Sequence, residues 1–362
     1  MIKIVTIVGA RPQFIKAAAV SREFSKHKEI QEVIVHTGQH FDKNMSDVFF
    51  EEMQIPQPNY NLNIHGLSHG AMTGQMLEGI EKILLNEKPH FVLVYGDTNS
   101  TLAGALAAKK LHIKVIHVEA GLRSFNMDMP EEINRILTDR ISDILFCPTD
   151  AAVQNLKNEG MDKTNVLIIK NGDVMQDAAL FYAREAEKKS TIIKTLGLTD
   201  FVLCTIHRAE NTDNIDNLTS IIEGLNRINK EIKVVVPLHP RTKNILDKEK
   251  IATQFTIIEP VGYFDMIMLL KHCKLVITDS GGLQKEAFFF RKNCVTLRNE
   301  TEWVELVENG YNALAGNNAD KIYKTYQMMM GRNNDFFKNL YGNGMASNII
   351  SESILSYNVP IN

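Results

Sequence analysis

The segment Thr278-Asp279-Ser280-Gly281-Gly282-Leu283-Gln284-Lys285-Glu286 carries the strongest local chemical signal in the sequence. An apolar run ends, a Ser-Gly-Gly turn follows, and a helical pattern begins. Glycines let the backbone approach a ligand, and the free N–H groups of a helix N-terminus point at an anion, most simply a phosphate. Glu286, about one turn in, is placed to accept hydrogen bonds from a ribose diol. Ser-Gly also caps helices that bind nothing, so a plain capped helix is the competing reading. A basic loop, Gly9-Ala10-Arg11-Pro12-Gln13-Phe14-Ile15-Lys16, stands near the N-terminus. Pro12 suits the first position of a helix. Arg11 and Lys16 then crowd a helix N-terminus, where each cation costs roughly 0.3–1 kcal/mol. A bound anion reverses that sign; two solvated basic residues are the alternative. The loop lacks GxxxxGK[ST] and is not a P-loop.

Four further apolar runs end in polar groups: Tyr95-Gly96-Asp97-Thr98, His117-Val118-Glu119-Ala120-Gly121-Leu122-Arg123, Ile206-His207-Arg208-Ala209-Glu210-Asn211 and Leu238-His239-Pro240-Arg241. Any one alone reads as a strand-end cap or an ion-pair member. Their joint occurrence at carboxyl ends favours a shared site. After Arg123 comes Pro130-Glu131-Glu132-Ile133-Asn134-Arg135, where proline and two glutamates also fit an ordinary helix start. No GxGxxG is present, which argues against a bound dinucleotide, and Gly342-Asn343-Gly344 reads as a turn before the last helix. Cys147, Cys204, Cys273 and Cys294 are widely spaced, with no CxxC and no Cys/His cluster at metal-ligand spacing. They read as reduced buried thiols of a cytoplasmic protein, with neither metal nor cofactor expected.

Positioning these loops requires strands. Short β-rich runs at 4–8, 33–36, 91–95, 115–118, 144–147 and 166–169 form one set of six. Runs at 201–206, 233–238, 255–258, 275–278, 294–297 and 312–315 form a second. Helical windows separate them, such as Ile133-x-x-Ile136-Leu137-x-x-x-Ile141. Alternation of this kind implies βα units and parallel sheets, hence an α/β fold. Six plus six, with a break after Gly172 and the charged stretch 184–194, favours two Rossmann-like domains facing a central cleft. The expected division is 1–171, with a C-terminal helix at about 346–362 packing back on it, and 172–345. In open α/β sheets ligands sit beyond the carboxyl ends of strands, where these motifs fall.

The 362 residues are 44% hydrophobic and 23% charged, ordinary globular proportions that exclude collagen-like and coiled-coil classes. Forty Lys plus Arg against 43 Asp plus Glu give a net charge of −3, which argues against a nucleic-acid or polybasic membrane binder. The apolar run at 4–8 is too short for a signal core, and no run approaches the ~20 residues of a membrane helix.

Taken in order along nearly the whole chain, Gly9-Ala10-Arg11-Pro12…Lys16, Thr37-Gly38-Gln39-His40, Gly96-Asp97-Thr98, His117–Arg123, Pro130-Glu131-Glu132…Asn134-Arg135, His207-Arg208-x-Glu210-Asn211 and Thr278–Glu286 resemble the non-hydrolysing UDP-N-acetylglucosamine 2-epimerases. The resemblance implies a glycosyltransferase-B type fold, a homodimer, and a UDP-sugar substrate held mainly by the C-terminal domain. It implies that Ser280, Gly281 and Gly282 hold the diphosphate, Glu286 the ribose and Arg298 the uridine side. Arg11, Lys16, Asp97, Glu119, Glu131 and His207 would line the reaction centre, with Arg123 and Arg135 among the substrate-binding residues. Gly9-Ala10-Arg11-Pro12-Gln13, Arg208-Ala209-Glu210 and Thr301-Glu302-Trp303-Val304-Glu305 depart from the commonest family pattern. They resemble the branch acting on UDP-2,3-diacetamido-2,3-dideoxy-glucuronic acid, an O-antigen precursor, with Arg241 as a partner for the substrate carboxylate. The reaction implied is elimination of UDP to a 2-acetamidoglycal and re-addition. A retaining glycosyltransferase, a hydrolysing epimerase and a non-catalytic nucleotide-sugar sensor are the alternatives.

Overall fold

A computed structural model of the chain describes residues 1–39 and 57–357. Its chain divides into two compact units, Met1–Ala178 with Asn339–Asn362, and Ala179–Lys338. In the first, β1 (Ile2–Val8), β2 (Ile30–His36), β3 (Tyr60–Asn61), β4 (Phe91–Tyr95), β5 (Lys114–Val118), β6 (Ile144–Cys147) and β7 (Leu167–Lys170) form one sheet. Its order is β3-β2-β1-β4-β5-β6-β7, and every neighbouring pair is parallel. The helices are α1 (Arg11–Phe24), α2 (His69–Glu87), α3 (Asn99–Lys110), α4 (Pro130–Ile141), α5 (Asp150–Asn158) and α6 (Val174–Lys189), the last running on into the second unit. Val5, Ile7, Val92 and Val94 are fully buried against Ile80, Ala103 and Ala107, because a parallel sheet covered on both faces needs apolar side chains both ways.

The second unit repeats the plan. Strands β8 (Phe201–Thr205), β9 (Lys233–Pro237), β10 (Thr256–Ile258), β11 (Leu275–Thr278), β12 (Cys294–Thr296) and β13 (Asn312–Leu314) pair in the order β10-β9-β8-β11-β12-β13, again all parallel. Its helices are α7 (Ile192–Thr195), α8 (Ala209–Thr212), α9 (Ile215–Asn229), α10 (Pro240–Lys248), α11 (Tyr263–His272), α12 (Gly281–Phe289), α13 (Val304–Glu308) and α14 (Ala319–Met330). The α/β class with two Rossmann-like units is therefore borne out. All twelve expected runs are strands, and the two-residue edge strand β3 is additional.

In each sheet the chain steps outward on one side of the first strand, then returns to begin again on its other side. The reversals fall between β1 and β4 and between β8 and β11. At such a switch point the loops leaving adjacent strands diverge and leave a crevice. Gly9–Lys16 and Gly96–Thr98 border the first reversal, His207–Asn211 and Asp279–Gly282 the second.

Helix α4 corrects the amphipathic reading of its sequence. Ile133 and Leu137 are exposed, whereas Glu132, Asn134, Arg135, Thr138 and Asp139 are buried. Its polar face is turned inward because each of those charges has buried partners there.

The joins fall at 178/179 and 338/339 rather than at 171/172 and 345/346. Residues 184–189 of the charged stretch are the last turns of α6. Just before that helix the returning chain is pinned to the first unit: Asp173 N–H donates to the Tyr341 carbonyl at 2.8 Å. Gly172 sits at φ +86°, where a Cβ would meet that carbonyl at 2.7 Å. The last helix, α15 (Ala346–Ser356), packs on α1. Its own N-cap, Met345, makes no side-chain cap. Asp177 of α6 supplies one from afar, accepting from Ala346 N–H at 3.2 Å and Ser347 N–H at 2.7 Å. Asp177→Ala is expected to cost about 1–2 kcal/mol of stability, the value of a helix cap, and Asp177→Asn less, since one acceptor oxygen survives. Thermal unfolding of the two variants side by side reads this; equal midpoints for Asp177→Ala and the parent would refute the cap.

Candidate active site

In the first unit, Lys16 is buried on α1 and ion-paired with Glu119, whose side chain is 9% exposed. Gly96, at φ +62°, makes room for the pair: a Cβ there would lie 3.2 Å from Lys16 Nζ and 3.3 Å from Glu119 Oε2. Glu119 itself adopts φ +72°. A non-glycine residue in that region costs about 1–3 kcal/mol and persists only where its surroundings dictate it. Here the Phe146 carbonyl accepts from both Glu119 N–H and Ala120 N–H, at 3.1 and 3.0 Å.

Asp97, on the turn after β4, accepts from Arg135 at 2.5 Å, and its carbonyl accepts from the Asn134 amide at 2.9 Å. Arg135 also donates to Glu132 at 3.0 Å. Glu132 in turn accepts from the Ser124 and Phe125 N–H groups at 3.0 and 2.9 Å, so it closes the loop before α4. Its neighbour Glu131 is exposed on the first turn of the helix. The side chain of Arg11 and the motif residue His40 lie outside the described residues.

Arg123, expected among the substrate-binding residues, is buried and engaged within the fold: it donates to Asp139 at 2.7 Å, the Leu122 carbonyl at 2.6 Å, and both oxygens of Glu159 at 2.6 and 2.9 Å. Asp139 also accepts from Gly121 N–H at 3.1 Å and lies 2.7 Å from His117 Nδ1. Burial pushes the Asp139 carboxyl up, but His117 and Arg123 together outweigh it and hold the group below the ordinary carboxylate range.

Gln13 joins the two loops of the first switch point. Its side-chain oxygen accepts from Gly9 and Ala10 N–H groups at 2.8 and 3.0 Å. Its amide NH2 donates to the Tyr95 carbonyl at 2.9 Å and to the hydroxyls of Thr98 and Thr101 at 3.0 and 2.9 Å.

In the second unit, Ser280 is the N-cap of α12 and accepts from Leu283 N–H at 3.4 Å. A Cβ on Gly282 would meet nothing within 4 Å, whereas one on Gly281 would lie 2.3 Å from Glu302 Oε1. Arg298 is buried and donates to the other oxygen of Glu302 at 2.9 Å. Glu286 is buried and accepts from Tyr263 at 3.4 Å. Lys285 lies over the Trp303 ring, 3.9 Å from its centroid, which packs the loop after β12 onto α12.

His207, half-exposed, is held by Asp279. That carboxylate accepts from His207 N–H and Arg208 N–H, both at 3.0 Å, and from the Asn211 amide at 3.2 Å, while His207 Nδ1 lies 3.1 Å away. Burial raises the Asp279 carboxyl, but the His207 ring and the backbone and amide donors hold it below its usual range. Arg241 sits on the surface, paired with Asp213 at 2.6 Å. Among the described residues no group of three His, Cys, Asp or Glu is placed to hold a metal ion.

Residues overlooked as functional at the sequence level are Asp139, Glu132, Asp279 and Gln13. Glu132, Arg135 and Asp139 recur at helical spacing and form a polar stripe, which is the signal that was available.

Comparison with known proteins now decides the family. The family model described as UDP-N-acetylglucosamine 2-epimerase matches residues 22–355. The chain belongs to that family. It is a UDP-sugar 2-epimerase, an isomerase. A relative from Pseudomonas aeruginosa, UDP-2,3-diacetamido-2,3-dideoxy-D-glucuronate 2-epimerase, is 56% identical over 97% of this chain and 98% of its own. The crystal structure of the Methanocaldococcus jannaschii UDP-GlcNAc 2-epimerase, in complex with UDP-GlcNAc and UDP, matches with TM-score 0.90 at 45% identity over 99% and 100% of the two chains. The Neisseria meningitidis enzyme bound to UDP-GlcNAc matches with TM-score 0.88 at 32% identity, over 98% of this chain and 100% of that one. No helix among the described residues is long and apolar enough to cross a membrane.

Because the Asp279 carboxyl is held below its unfolded value, its contribution to stability is present above the ordinary carboxylate range and is lost as pH falls through the depressed value. Asp279→Asn should therefore cost roughly 1–3 kcal/mol near neutral pH, with the deficit against the parent narrowing in acid. Thermal unfolding across pH checks the sign; a deficit that widens in acid contradicts it.

Proposed function

We propose that this epimerase interconverts UDP-2,3-diacetamido-2,3-dideoxy-glucuronate and its manno epimer for surface polysaccharide synthesis, by eliminating and re-adding UDP. The observation that carries the chemistry is the largely buried Lys16–Glu119 ion pair beside the Asp97 turn, at the switch point of the first sheet. A carboxylate takes the carbon-2 proton as the bond from carbon 1 to the UDP oxygen breaks, leaving a 2-acetamidoglycal. UDP then adds back to carbon 1 while a proton arrives at carbon 2 on the opposite face. Asp97, Glu119 and Glu131 share the acid and base roles, each such role typically worth about 10²–10⁴ in rate. Arg11, Lys16 and His207 stabilise the departing diphosphate, where fixed positive charge acts on charge that develops. Ser280, Gly281 and Gly282 hold the diphosphate at the start of α12, Glu286 the ribose and Arg298 the uridine side, with Arg135 setting the Asp97 carboxylate. The choice of sugar is supported by the 56% identity to the P. aeruginosa enzyme of that name, and by the Gly9-Ala10-Arg11-Pro12-Gln13 variant. The family resemblance supports a homodimer, and four buried free thiols fit a cytoplasmic setting.

Epimerisation in deuterated water is expected to place deuterium on carbon 2 of the product without added NAD or metal. NMR of the product reads this, and a carbon 2 that keeps its original hydrogen rules out the elimination route. Matched kinetics with the diacetamido-uronate and UDP-N-acetylglucosamine should favour the uronate, with Arg241→Ala lowering that preference, since a bidentate Arg–carboxylate pair is lost. Faster turnover of UDP-N-acetylglucosamine at equal concentration would overturn the substrate choice and leave the family intact. An unchanged preference in Arg241→Ala would remove that residue alone.

A further inference from the structure

We propose that His117 and Asp139 form a buried charged hub, with His117 held as an imidazolium, that positions the two loops bearing Asp97 and Glu119. It rests on the reading above only for the roles of those two carboxylates. His117 is fully buried on β5, with Nδ1 2.7 Å from Asp139 Oδ1 and Nε2 2.7 Å from the Gly96 carbonyl. A carbonyl oxygen has no proton to give, so Nε2 donates. In a neutral imidazole Nδ1 would then be an acceptor, and its lone pair would face a carboxylate oxygen. Either Asp139 carries a proton or the ring carries two. The other Asp139 oxygen accepts from Gly121 N–H and from the Arg123 guanidinium. Both donors favour the ionised carboxylate, so the second proton belongs to the ring. Arg123 and His117 then face Asp139, and Arg123 also pairs with the half-buried Glu159, which Arg140 approaches to 3.7 Å, so each buried charge of the cluster has an opposite partner.

The hub acts at both loops through glycines at positive φ. His117 fixes the carbonyl of Gly96, at φ +62°, immediately before Asp97. Asp139 fixes the N–H of Gly121, at φ +80°, two residues after Glu119, and a Cβ on Gly121 would lie 2.4 Å from the Ala152 carbonyl. His117 and Asp139 are thus positioning residues, and the two oxygens of one carboxylate set both turns.

The test begins with the intact enzyme labelled with nitrogen-15 histidine, observed by NMR at about pH 8, where an ordinary histidine with a pKa near 6.5 is neutral. One of the eleven histidines is expected to show both ring nitrogens protonated, and that signal should be missing from His117→Gln. Asp139→Asn should abolish the doubly protonated state and lower kcat by about tenfold or more, the scale of a misplaced acid or base. KM and the UDP dissociation constant should stay within about twofold, because binding common to ground and transition states is untouched. A His117 with a single protonated nitrogen in the parent overturns the proposal, as does a folded Asp139→Asn enzyme with full kcat. Should Asp139→Asn fail to fold, the parent spectrum still decides the charge state, and kcat of His117→Gln decides the positioning. Full turnover in Asp97→Asn and Glu119→Gln would sink the carboxylate roles instead, a result separable from the spectrum.

Discussion

Every paired strand in both sheets runs parallel to its neighbours, and this single constraint places the chemistry. A parallel pair cannot close through a tight hairpin, so each strand hands over to a helix and the strand-end loops gather along one edge. Most of those loops simply start the next helix. Only where the order reverses do two neighbouring loops part, between β1 and β4 and between β8 and β11. The basic loop and the Gly96-Asp97 turn occupy the first opening; the His207 loop and the Ser-Gly-Gly turn occupy the second. Hydrogen bonds stitch each pair of loops together, Gln13 in one case and Asp279 in the other.

Holding functional carboxylates at such an edge has a structural cost. Glu119 sits at positive φ, a conformation disfavoured for a side chain of its size. It is tolerated because the Phe146 carbonyl, the Asp139–Gly121 bond and the Lys16 ion pair all fix the same loop. Removing one partner of a buried pair leaves an uncompensated charge, typically worth ~3–5 kcal/mol. The inward polar face of α4 follows from the same need. Its buried Glu132, Arg135 and Asp139 satisfy loop N–H groups and charges that apolar side chains would leave unpaired.

The strands and the order of motifs were legible because burial in a parallel sheet writes a continuous apolar run into the sequence, bounded by Gly and polar residues. Phe91–Tyr95, Ile144–Cys147 and Leu275–Thr278 match residue for residue. Strand β3 was missed because two residues, Tyr60 and Asn61, carry no periodicity. The inward face of helix α4 was not legible because an apolar stripe usually marks the core; here Ile133 and Leu137 face outward and a charged network takes the buried side. The partners of Arg123 were not legible for a related reason. A motif places an arginine near a site, yet only the distances to Asp139 and Glu159 reveal that its donors are already engaged. The Gly172 break is real in the backbone, while the Asp177 cap on α15 ties the next residues to the first unit.

Gln13 shows how a small departure from the common family pattern can be read physically. The position must accept two N–H groups, from Gly9 and Ala10, and at the same time donate to the Tyr95 carbonyl. A primary amide does both; a carboxylate serves the first demand and sets a negative oxygen against the carbonyl in the second. The amide therefore locks the β1 loop to the β4 loop without adding charge beside Lys16. That neutrality matters on the proposed reaction. With Glu119 as the carboxylate paired to Lys16, the ammonium is balanced before substrate arrives, and a diphosphate brings it a second anionic partner.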